Sequence, residues 1–318
     1  MVPPDRLEHT RTGLAYALAA YGFWGVAAFY FRAVGHVSPF EILAHRVIWA
    51  ALLLWGILAA TRRFPEAVAV ARSPKSLGNL ALSGGLVAVN WLCFVYAIDT
   101  DRLVHASLGY FITPLISICL GMVFLAERLR PLQWVAVAFA VGGVAVQTFA
   151  VGELPWISLV LAGSFGLYGL VRKQSSVGPV LGLAFEAALL MPFGLAFLVL
   201  VELNGWSLGK AFEGTAILHS GTWTVLLLVM AGGVTAFPLV CFTAAAKRLT
   251  LTTIGFMQYI APTLQLTVAI VAFQESFGIQ QAAAFGVIWA GIACFVFDSI
   301  RAERGRRRAV AAAVPEPA

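Results

Sequence analysis

The sequence is poor in charge and poorer in acid. Of 318 residues, 11% are Asp, Glu, Lys or Arg, and only 15 are acidic. Soluble domains carry about 25% charged residues and disordered chains are more polar still, so both classes are excluded. Cysteine is scarce: Cys93, Cys119, Cys241 and Cys294 lie far apart inside apolar runs. No CxxC or Cys–His spacing offers a metal site or a disulfide framework, and the four read as small buried hydrophobes. The 30 glycines follow no triplet period, which removes a collagen reading. Also missing are the GxxxxGK[ST] phosphate loop of nucleotide-driven pumps, the HExxH helix of zinc proteases and the GxSxG elbow of serine hydrolases. No metal and no cofactor are expected, and an intramembrane enzyme becomes the weakest functional class.

What is present is apolar. Sixty per cent of the chain is hydrophobic and the mean hydropathy is +0.88, the composition of a polytopic membrane protein. A spanning helix needs about 20 apolar residues to cross about 30 Å of hydrocarbon. Ten segments qualify: 13–34, 39–60, 76–98, 103–126, 131–149, 155–171, 178–201, 222–246, 251–274 and 279–300. The first is too long for the apolar core of a signal peptide and is expected to remain as a span. The connections are short apart from 202–221, so no soluble catalytic domain fits between them.

Charge orients the bundle. With the N-terminus in the cytoplasm, 17 of the 21 Lys and Arg residues fall on that side. Arg32, Arg102 and Lys210 fall outside, and Arg46 lies within a span. Because cytoplasmic loops retain positive charge, both termini are expected in the cytoplasm of a cell (inner) membrane protein. The basic tail after Asp298 then reads as a short solvated segment near anionic headgroups rather than a nucleic-acid site.

The chain repeats itself. An ungapped shift of 148 residues aligns Gly85–Ala145 with Gly233–Ala293, with 14 identities in 61 pairs, among them Cys93/Cys241, Pro114/Pro262, Glu127/Glu275 and Gln133/Gln281. Five spans per half make equivalent helices cross in opposite directions. The expected architecture is therefore all-α, with ten transmembrane helices in two inverted five-helix repeats, 1–150 and 151–318. Inverted repeats are the build of secondary transporters that work by alternating access.

The segments AYGFWGVAAFYF (Ala20–Phe31), EILAHRVIWA (Glu41–Ala50), ASLGYFITPL (Ala106–Leu115), FLAERLRPLQW (Phe124–Trp134) and GFMQYIAPTLQ (Gly255–Gln265) resemble the RarD branch of the EamA-type drug/metabolite transporters. The resemblance runs from about Thr12 to Arg301. It implies a ten-helix permease with a central cavity between two halves, exporting or exchanging a small metabolite or drug. The branch takes its name from a link to chloramphenicol sensitivity.

Candidate site residues follow from their cost in lipid, since ionisable groups inside a bilayer are functional candidates by default. Glu41, His45 and Arg46 lie in the second segment and Glu186 in the seventh. At 1.5 Å of rise per residue across about 30 Å of hydrocarbon, Arg46 and Glu186 are expected about 8 Å apart along the membrane normal, within reach of extended side chains if their helices are neighbours, binding a substrate charge or exchanging a proton. Glu41 and His45, four apart and so on one helix face, suit proton sensing or relay. Trp24, Asn90, Trp91, Tyr110, Phe111, Tyr168, Gln258 and Tyr259 are expected to line an aromatic cavity suited to an amphipathic or cationic cargo. Pro114 and Pro262, at matched positions, are candidate hinges. Glu127 and Glu275 read as anchors or gate elements at helix ends. The expected partners are a small-molecule substrate, the lipid bilayer and protons as coupling ion, with no nucleic acid. A duplicated chain is compatible with a monomer or a homodimer. The competing classes are a channel or sensor without coupled transport, and the intramembrane enzyme.

Overall fold

The computed structural model describes residues 4–100, 102–151, 156–206, 214–274 and 278–312. All regular structure among them is α-helical: α1 (Pro4–Val26), α2 (Ala28–Ala33), α3 (Pro39–Ala60), α4 (Phe64–Ala71), α5 (Pro74–Asp99), α6 (Leu103–Leu125), α7 (Pro131–Val151), α8 (Trp156–Gln174), α9 (Pro179–Asn204), α10 (Ala216–His219), α11 (Thr222–Ala246), α12 (Leu251–Gln258), α13 (Ile260–Val271) and α14 (Ile279–Ala312). Helix occupies each of the ten predicted segments. Eight helical stretches are long and apolar enough to cross a membrane, with α1–α2 and α12–α13 each counted as one. Pro131–Val146 is a shorter apolar helix.

Proline and glycine set many of the boundaries. Pro39, Pro65, Pro74 and Pro179 occupy the first turns of α3, α4, α5 and α9, where a missing N–H costs nothing. Gly205 closes α9 in the left-handed region at φ 61°, a conformation that suits glycine. Helix α6 also ends left-handed, at Ala126 with φ 53°, which turns the chain sharply before Glu127.

Three expectations about the connections change. The 61–75 link contains the short helix α4. Helix α8 runs past position 171, so Arg172 and Lys173 belong to it. The basic tail, expected as a short solvated segment, continues as helix: α14 runs through to Ala312, as its Ala and Arg content favours.

The two candidate hinges behave differently. Helix α6 passes through Pro114 unbroken, whereas helix is interrupted at Tyr259, between α12 and α13. Pro262 has no N–H to return to the carbonyl four residues back, at Gln258, which weakens the ladder there.

The principal helix pairings are α7 with α14, α6 with α8, α3 with α9 and α11, α1 with α11 and α13, α5 with α8 and α9, and α12 with α6. Gly255 makes the α6–α12 approach possible, because a Cβ there would lie 2.7 Å from the Pro114 carbonyl oxygen. The main core joins Tyr21, Leu54, Leu80, Tyr168, Phe242 and Ile254 from six helices. Outside it, large apolar side chains point outward, Phe149 at 85% and Phe193 at 74% exposure. Such a surface suits hydrocarbon better than water.

Candidate functional site: two charged centres between the helices

Glu186 lies in the second turn of α9 and is buried. Its Oε1 accepts from Ser83 Oγ on α5 at 2.5 Å, and its Oε2 from the Tyr168 hydroxyl on α8 at 3.2 Å. Arg172, one turn beyond Tyr168, places its Nε 3.3 Å from Oε1 and donates from Nη2 to the Gly178 carbonyl at 3.2 Å. Both charged side chains are sealed from solvent, at 0% and 1% exposure. Gly182 gives the guanidinium its room: a Cβ there would fall 2.2 Å from both terminal nitrogens. A buried charge is tolerated when it is paired and hydrogen-bonded, and Glu186 meets both conditions.

Arg46 sits in a different environment. From the second turn of α3, its Nε donates to Thr235 Oγ1 on α11 at 2.9 Å. The guanidinium lies 4.8 Å from the centre of the Trp91 ring and 5.7 Å from that of Phe31, the geometry of cation–π attraction. Arg46 remains only half-buried and Tyr110 is 41% exposed.

The remaining candidates sit in several separate surroundings. Trp24 is half-buried, with its ring 5.7 to 6.1 Å from those of Tyr21, Phe165 and Phe242. Tyr168 stacks on Phe242 at 6.0 Å. Asn90 is tied to α8, donating to the Leu161 carbonyl at 2.9 Å and to Ser164 Oγ at 3.1 Å. The Tyr259 hydroxyl donates to the carbonyl of Phe111, its counterpart 148 positions earlier, at 3.2 Å. Gln258 Oε1 accepts from Ser117 Oγ at 3.3 Å, while its amide nitrogen finds no acceptor. Glu41 Oε1 accepts from the Ala216 amide of α10 at 2.7 Å. His45 lies 3.6 Å from the same oxygen, beyond hydrogen-bond length, and both ring nitrogens lack hydrogen-bond partners.

The bundle is tied at both ends. At the basic end, Glu127 accepts from the Leu251 and Thr252 amides at 2.7 and 2.9 Å and from Thr252 Oγ1 at 2.8 Å, a carboxylate set on the positive N-terminus of α12. Arg130 Nε donates to Asp298 at 2.5 Å, and Lys173 donates to the Ala246 and Leu249 carbonyls. At the other end, the Tyr30 hydroxyl donates to the Leu227 carbonyl at 3.0 Å and His36 bonds Thr224 Oγ1 at 2.8 Å. Glu275 lies outside the described residues. A cavity of about 1000 Å³ opens separately between α1, α12, α13 and α14, apolar in its walls and bordered by Arg11, Arg248 and Arg304; neither Arg46 nor Glu186 lines it.

The structure brings Glu186 together with Tyr168, and Arg46 with Trp91, but places Arg46 and Glu186 in separate networks. Sequence reasoning missed Arg172, Ser83, Thr235, Phe165 and Phe242. Arg172 had a readable signal: it follows Tyr168 by four residues, so phenol and guanidinium share a helix face.

A helical bundle with an apolar exterior and charged groups held in its interior is a polytopic membrane protein. The model of the EamA-like transporter family matches residues 11–149. The chain is 43% identical over 298 residues to the Protein RarD of Salmonella typhimurium, covering 93% of this chain and 98% of that one. It is 41% identical over 307 residues to an "Uncharacterized transporter" of Vibrio cholerae, covering 96% and 98%. A solved structure described only as a crystal structure of a protein has the same fold, with a TM-score of 0.68 at 18% identity over 93% of this chain. The chain belongs to the EamA-like transporter family, in its RarD branch.

Proposed function

We propose that the protein is a secondary transporter that moves a small organic molecule by alternating access along a path past Arg46. In this reading ten helices span the membrane as two inverted repeats, 1–150 and 151–318, with both termini in the cytoplasm. One observation carries it. Exchanging α1–α2 with α8, α3 with α9, α5 with α11, α6 with α12–α13 and α7 with α14 maps the principal helix pairings onto themselves. The α6–α8 packing becomes α12–α13 against α1, α5–α8 becomes α11–α1, and α3–α11 becomes α9–α5. A packing scheme symmetric under that exchange supports two mirror-related states of similar energy.

The ties at the two ends are the elements that alternate. Glu127 on α12 and Arg130 on Asp298 join residues 1–150 to 151–318 at the basic end. Glu41 on Ala216 and Tyr30 on Leu227 do so at the opposite end. Opening either side requires one set to break while the other holds. Arg46, Trp91, Trp24 and Tyr110 face the cargo, while Glu186 with Arg172 holds the scaffold.

Spin-label distances test this. In a cysteine-free background, pairs at Arg128 with Arg248 and at Gly35 with Ser220 report on the two ends. Two populations at each end, shifting in opposite senses as conditions change, are expected. One fixed distance at both ends under every condition contradicts alternating access.

A further inference from the structure

The charged groups inside the bundle do not balance. Glu186 is matched by Arg172, Ser83 and Tyr168. Glu41 accepts from the Ala216 amide and faces His45. Arg46 has no such partner. Among the described residues no carboxylate lies within 4.0 Å of its guanidinium, and Thr235 is the acceptor it bonds, through Nε alone. A guanidinium presents five N–H donors in a planar fork that matches a carboxylate two-point. Among the described residues the terminal nitrogens of Arg46 have no protein acceptor, and the Trp91 ring lies 4.8 Å from its guanidinium carbon. Aromatic faces reduce the cost of holding a cation away from water but leave its donors unsatisfied.

The same arrangement specifies what completes it. Trp91 offers an apolar body beside the guanidinium an aromatic face 4.8 Å away, and Trp91, Trp24 and Phe165 all pack on the same core cluster. An ammonium group finds no counterpart here. The Glu186 carboxylate is already occupied, and Arg46 itself repels a cation.

Resting on the transporter reading, we infer that the cargo is an organic anion with an aromatic or branched apolar body and no amino group. Its carboxylate (or chemically similar acid) seats on the terminal nitrogens of Arg46, and its body lies against Trp91. The cationic cargo suggested by the aromatic residues alone is replaced by its opposite, because the site already contains the cation.

The test uses the full chain in lipid nanodiscs and three probes of one shape: 3-phenylpropionate, 3-phenylpropionamide and 3-phenylpropylamine. The carboxylate is expected to raise the melting temperature by about 2–4 °C at saturating concentration, while the amide and amine leave it unchanged. Arg46→Gln is expected to weaken the carboxylate response at least about tenfold, with Arg46→Lys recovering part of it. A response to the amine or amide that Arg46→Gln leaves intact overturns the inference. So does the absence of any carboxylate response while the spin-label distances still alternate, a result that leaves the transporter reading standing. Loss of the alternating distances together with a retained carboxylate response would instead remove the transporter reading and keep an anion site.

Discussion

Arg172 and Arg46 are both arginines held inside one bundle, and they are treated in opposite ways. Arg172 is sealed, ion-paired with Glu186 at 3.3 Å and packed against a glycine that leaves only enough space for it. Arg46 is braced by one threonine and two aromatic faces, and it keeps accessible surface. The first arrangement is closed to any visitor, and removing either partner strands a charge. The second is held in position and left incomplete. A charge that the fold has already neutralised contributes to the scaffold, while one that the fold positions without neutralising is available to a ligand.

That contrast can be broken at several points. The largest loss is expected from Arg172→Leu or Glu186→Gln. Stranding one member of a buried pair costs about 3–5 kcal/mol, read as a lower melting temperature of the purified protein. The double variant Arg172→Leu/Glu186→Gln should cost less than the two losses added together. Next comes Gly182→Ala, whose Cβ would fall 2.2 Å from the Arg172 guanidinium. Overpacking of that kind costs about 1–3 kcal/mol, and the loss should largely vanish once Arg172 is leucine. If Gly182→Ala is equally harmful in both backgrounds, the guanidinium is not what the glycine accommodates.

Glu127→Gln should cost about 1 kcal/mol, since it removes the charge but keeps acceptors at the N-terminus of α12. Its clearer signature is faster thiol labelling of a cysteine placed at Thr250, as the basic end opens more often. Unchanged labelling would reduce Glu127 to a static cap. The smallest effect is at the surface, where Arg63 donates to Glu66 at 2.8 and 2.6 Å in the open. Arg63 holds the Glu66 carboxyl below its ordinary range, chiefly by hydrogen bonding. The stabilisation is thus present above the ordinary carboxylate pKa and lost as pH falls through the lowered value. Exposed pairs contribute little, so Glu66→Gln should leave the melting temperature unchanged at neutral pH.

Much of the fold was legible because hydropathy and proline report on the same boundaries. Segments 39–60 and 222–246 coincide with α3 and α11, each bounded by polar or turn-forming residues that a spanning helix cannot include. Alternating loop charge placed Lys173 and Lys247 at one end, where both now donate to backbone carbonyls of the second half. The charged site was legible only in part. Arg46 and Glu186 were found because an ionisable residue inside an apolar run is visible on its own. Their partners were not, because pairing depends on which helices are neighbours. Arg172 follows the predicted segment 155–171, where hydropathy falls, yet α8 extends to Gln174 and carries it inside. Pro262 was read as a hinge equal to Pro114, but helix breaks only in the second copy, and local sequence does not say which surroundings restore the lost bond.

The central claim is that Glu186 supports the bundle while Arg46 serves the cargo. It is tested most directly by measuring melting temperature and 3-phenylpropionate response together in wild type, Glu186→Gln and Arg46→Gln. The account predicts that Glu186→Gln melts markedly lower yet still responds to the carboxylate. Arg46→Gln is predicted to melt within about 1 kcal/mol of wild type, having lost a charge the fold never neutralised, and to respond no longer. The reverse pattern, a destabilised Arg46→Gln that keeps the response and a stable Glu186→Gln that loses it, would contradict the account.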